Sequence, residues 1–96
     1  MPKGYWIAHV SVTDEKNYPE YIAATNAALA KYGARFLVRG GRHEAPEGPA
    51  RPRHVVIEFD SFETARACYL SPEYQAAVKL RHAHTESDFV LVEGTG

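Results

Sequence analysis

A lone cysteine, Cys68, rules out an internal disulfide in this 96-residue chain. No covalent staple supplements its packing, and the redox chemistry of paired thiols is excluded. Long hydrophobic runs are missing too. No apolar stretch exceeds four residues, against the roughly 20 needed to cross a bilayer. The expectation is a soluble, cytoplasmic protein with no membrane partner. Excess charge of one sign is also lacking: 11 Lys and Arg face 12 Asp and Glu, for a net charge of -1. That leaves no basic footprint for nucleic acid. No Gly-x-Ser-x-Gly elbow occurs, Gly40-Gly41 lacks the Lys-Ser/Thr of a phosphate loop, and no zinc-finger or haem-attachment spacing is present. Neither a metal nor a cofactor is expected.

What is present is alternation and periodicity. Gly4 to Val12 is rich in aromatic and β-branched residues, as strands are. Its faces separate into Trp6, Ala8, Val10 and Val12 against Tyr5, Ile7, His9 and Ser11. Asn17 and Glu20 have capping-box spacing. The stripe Tyr18, Tyr21, Ile22, Thr25, Leu29 and Tyr32 then predicts an amphipathic helix stopped at Gly33. Arg35 to Gly40 predicts a second strand, with Phe36 and Val38 opposite Arg35, Leu37 and Arg39. Gly40-Gly41 suggests a bulge, after which the strand could resume through His43-Glu44. Ala45 to Pro52 is a proline-rich loop. His54 to Phe59 is a third strand, with Val55, Ile57 and Phe59 opposite His54, Val56 and Glu58. Helix starts follow at Asp60 or Ser61 and again at Ser71-Pro72. Cys68, between Ala67 and Tyr69 on the first of these helices, reads as a packed residue rather than a reactive thiol. Asp88 to Glu93 closes the chain as a fourth strand.

This order, strand-helix-strand-strand-helix-strand, predicts one domain over residues 1–96. Its fold class is α+β, a ferredoxin-like protomer with a four-stranded antiparallel sheet and helices on one side. The helices are expected over Trp6, Val10, Phe36, Val38, Val55, Ile57, Val90 and Val92. The opposite face would carry Tyr5, Ile7, Leu37, Val56, Phe89 and Leu91, interrupted by His9, Arg39 and Glu58. Such a face is too apolar to leave in water. Its isolated charges are too costly to seal dry. A second copy laid over it, leaving a wet lumen, answers both problems, so a homodimer with two sheets face to face is expected.

Four runs carry a resemblance across almost the whole chain: Lys3 to Val10, Arg35 to Gly41, Val56 to Phe59, and Tyr69 to Gln75. Together they resemble the domain of unknown function 1330 family, within the dimeric α+β barrel superfamily. The resemblance implies a ferredoxin-like protomer, a homodimeric barrel and a lumen between the sheets. It implies no established activity. The proline-rich loop, Arg42 to Arg53, departs from the family pattern and leaves the length of the second strand open.

His9, Arg39 and Glu58 are the candidate constellation, on neighbouring strands of one face. His9 is placed as acid or base, Glu58 as the group that orients it, and Arg39 as an anion clamp. Tyr5 is expected as a wall of the same pocket. The expected ligand is a small anionic or aromatic metabolite, held by a binding protein or a cofactor-independent enzyme. The competing expectation is a structural dimer in which Glu58 and Arg39 form an ion pair that fixes register. His82 and His84, two residues apart near a helix end, are read as favourable partners of the helix dipole rather than metal ligands.

Overall fold

The computed structural model describes residues 2–96. Four strands form one antiparallel sheet: β1 (Gly4–Val12), β2 (Arg35–Arg39), β3 (Arg53–Phe59) and β4 (Thr85–Glu93), in the spatial order β2-β3-β1-β4. Three helices, α1 (Tyr18–Lys31), α2 (Phe62–Leu70) and α3 (Pro72–His84), cover one side of it. This is the expected ferredoxin-like α+β protomer. No described helix is long and apolar enough to cross a membrane.

Local chemistry sets the element ends. Ser61 caps α2 by accepting from the Thr64 amide at 3.1 Å. That leaves the neighbouring Asp60 carboxylate to pair with Arg35 at 3.1 Å. Ser71 caps α3 by accepting from the Tyr74 amide at 3.2 Å, and Pro72 fills the first turn. The expected capping box at Asn17 does not form. Asp14 instead accepts from both the backbone and the side-chain amide of Asn17. Those bonds hold the Asp14 carboxyl below the usual carboxylate range. Gly33 ends α1 at a φ of 65°, where a side chain would be strained.

Packing under the helices centres on Trp6. Its ring lies 4.5 Å from Tyr74, 4.9 Å from Phe59 and 5.2 Å from Phe89, and its indole N–H donates to the Ala65 carbonyl. Cys68 is buried here, and burial pushes its thiol up to about 12, so it is inert at neutral pH.

Two face assignments differ from the sequence expectation. In β4 the inward residues are Phe89 and Leu91, whereas Val90 and Val92 are exposed on the open face. Register decides this: Phe89 lies opposite Ala8, whose small side chain leaves room for a ring, and Leu91 lies opposite Trp6. Burying Phe and Leu also removes more apolar area from water than burying two valines. In β2 the alternation breaks. Phe36 pairs with Ile57 and Val38 with Val56, so Leu37 is an extra residue. The bulge sits at Leu37, not at Gly40-Gly41. It moves Val38 to the open face and Arg39 to the helix side. The strand does not resume at His43-Glu44.

Candidate functional site

The sheet face without helices is built by the β1–β3 register, which pairs Tyr5 with Glu58, Ile7 with Val56 and His9 with His54. Polar pairs therefore stand at both ends of an apolar middle. Four residues at roughly 3.3 Å each separate the ends by about 13 Å.

At the Tyr5 end both oxygens of the Glu58 carboxylate accept a hydrogen bond. Tyr5 donates to it at 3.2 Å and Arg35 donates at 3.0 Å. Burial and the adjacent carboxylate raise the Tyr5 phenol above its ordinary value. Arg35 also reaches Asp60, which lies near Lys3. This network satisfies itself.

At the other end, His9 and His54 bring their Nδ1 atoms to 2.8 Å. His43, from the long loop, stacks edge-on against His54 with ring centroids 4.5 Å apart. Partial desolvation, together with the neighbouring His43 and His9, lowers the His54 pKa, so this imidazole is neutral near pH 7. The two rings floor a recess of about 580 Å³ walled by Pro49, Ala50 and Pro52. Arg51 latches the loop in place, donating to Asp88 at 3.0 Å and to Ser11 at 3.1 Å.

The structure thus separates the three residues that the sequence grouped. His9 is in the recess, Glu58 is at the far end of the face, and Arg39 is on the helix side with its guanidinium 4.5 Å above the Phe36 ring. His54 lies beside His9, and Arg35 lies beside Glu58. His82 and His84 lie in the last turn of α3, His84 within 3.5 Å of Asp14. Among the described residues, no group of three or more His, Cys, Asp or Glu side chains is arranged to hold a metal ion.

A family model described as "Domain of unknown function (DUF1330)" matches residues 3–95. The chain belongs to the DUF1330 family. Solved structures show the same fold. A protein of unknown function from Rhodopseudomonas palustris aligns with a TM-score of 0.79 at 16% identity, covering 99% of this chain and 84% of that one. SnoaB, a cofactor-independent oxygenase from Streptomyces nogalater, aligns with a TM-score of 0.66 at 13% identity, covering 100% and 96%. A dimeric ferredoxin-like protein of unknown function from Thermobifida fusca aligns with a TM-score of 0.54 at 17% identity, covering 96% and 91%. No curated protein matches this DUF1330 sequence.

Proposed function

We propose that this DUF1330 protein works as a one-domain homodimer. Its open sheet faces meet, and the histidine ends enclose a chamber for a small anionic or aromatic metabolite. The observation that carries the reading is the His9–His54 contact at 2.8 Å on the floor of a recess. One ring must donate and the other accept, so a single proton lies between the two imidazoles. Such a pair suits acid–base work without a cofactor, with His9 exchanging the proton and His54 orienting it. The fold likeness to a cofactor-independent oxygenase is compatible with this reading and does not extend to a reaction.

The test is an NMR titration of the imidazole resonances with small mono- and dicarboxylates. Saturable shifts at His9 and His54 that disappear in His9→Ala support the chamber. Unmoved imidazoles contradict it. A second reading, a purely structural interface, is favoured at the Tyr5 end, where Glu58 already accepts from Tyr5 and Arg35, one bond on each carboxylate oxygen. Glu58→Gln is expected to weaken the dimer and leave the histidine shifts unchanged, so Glu58 would hold register rather than act as a catalytic group.

A further inference from the structure

The helix side of the sheet holds a second chamber, and it is unlike the first. Helix α1 packs along α3 and stands off the strands below it. The gap is walled by Trp6, Tyr21, Phe36, Val55, Ile57 and Phe89, almost wholly apolar, with room for about 40 Å³ of water-sized space beneath a wider mouth. Among the described residues, three guanidiniums, Arg39, Arg53 and Arg81, border it, and no carboxylate does.

Arg81 is the telling residue. It is only 6% exposed, and no acidic side chain pairs with it among the described residues. Its neighbours are the Tyr74 hydroxyl at 3.3 Å, His82 at 3.5 Å and the face of Phe89 at 4.5 Å. Burial raises the Tyr74 pKa, so that phenol stays neutral and supplies no counter-charge. Three buried polar atoms on this wall have no hydrogen-bond partner among the described residues: Arg81 Nε, Arg53 Nε and Thr25 Oγ1. Thr25 is 5% exposed. Folded proteins rarely leave such atoms alone, and a buried cation without an anion is costlier still.

We propose that this cleft binds a small monocarboxylate with an apolar body. Its carboxylate is held by Arg81, Arg53 and Thr25, and its hydrocarbon lies against Trp6, Phe36 and Phe89. A guanidinium N–H matches a carboxylate oxygen in charge and geometry. The narrow and almost wholly apolar cleft disfavours a phosphate, which has no hydrocarbon to fill it and would have to shed its hydration for the extra charge and oxygens. Arg39, exposed at the mouth, steers the anion inward. The site lies on the opposite side of the sheet from the His9 chamber and stands or falls without it.

Trp6, the sole tryptophan, makes its own probe. Full-length protein is titrated with cyclohexanecarboxylate, cyclohexylmethanol and inorganic phosphate while Trp6 emission is followed. The acid is expected to saturate the signal, the alcohol to bind at least about tenfold more weakly for loss of the charge-assisted bonds, and phosphate to give no saturable change. Arg81→Met should abolish the preference for acid over alcohol. Thr25→Val, a nearly isosteric change, should weaken acid binding without unfolding the chain. Arg81→Lys keeps the charge and controls for folding. Equal affinity for acid and alcohol, or no saturable response to the acid, overturns the proposal, since waters alone would then satisfy the orphan atoms. His9→Ala leaves this titration unchanged, whereas it abolishes the imidazole shifts of the open-face chamber.

Discussion

His54 is half-buried between two other imidazoles, and its titration contributes to how the protein responds to acid. Its pKa in the folded chain lies below its ordinary value. The unfolded chain therefore takes the proton first, near pH 6.5. Stability from this group is complete above that value, falls as pH drops toward the folded pKa, and is flat below it. Urea unfolding between about pH 7.5 and 5.5 should show this loss, and His54→Gln should flatten it. An unchanged slope in the variant would mean that His54 is not the titrating group. The contact itself was implicit in the sequence. Any register that sets Tyr5 opposite Glu58 sets His9 opposite His54, because paired positions on an antiparallel ladder run in opposite directions at the same step. Arg39 lies off the expected face for a different reason. Arg35 and Arg39 share a face in an unbroken strand, and the insertion of Leu37 into the ladder gives no signature in a run of five strand-forming residues.

The elements tell the same story in their interiors and ends. Strand β1 was legible because only one of its faces is wholly apolar. β4 was not, because Phe89, Val90, Leu91 and Val92 offer two apolar faces and only the size of the opposing residue chooses between them. Paired truncations separate the two. Phe89→Ala should destabilise by about 3 kcal/mol, since it removes a ring packed on Trp6, Tyr69 and Tyr74. Val90→Ala should cost under about 1 kcal/mol in the protomer, because the side chain is 52% exposed. Chemical denaturation under monomeric conditions measures both, and the reverse ranking would invert the strand. Helix starts marked by serine were legible because the side chain supplies the bond itself. At Ser71 the hydroxyl both accepts from Tyr74 and donates to the Cys68 carbonyl at 2.6 Å. Ser71→Ala should therefore cost about 1–2 kcal/mol, read as a fall in Tm of several degrees. At α1 the sequence is ambiguous because Asp14 and Asn17 both have short polar side chains, and the structure gives Asp14 the accepting part.

As a whole, the molecule has one covered side and one open side. The open side presents Val38 at 40%, Val90 at 52% and Val92 at 41% exposure, continuous with Ile7 and Val56 through the strand pairing. Small domains bury little surface of their own, so covering this face is worth more here than in a larger protein. The ferredoxin-like frame followed from the order and faces of the elements, and the family from the resemblance of four sequence runs that the family model bears out. The contents of the two chambers did not, because they depend on one bulge and on how far α1 stands from the sheet. The most direct test of the account is the mass by light scattering at micromolar concentration. The wild-type chain should scatter as twice its 10.7 kDa, and Val90→Glu, which places a charge amid the apolar middle of the open face, should scatter as one. A wild-type protein that stays at 10.7 kDa would leave that face bare and contradict the paired-sheet chamber.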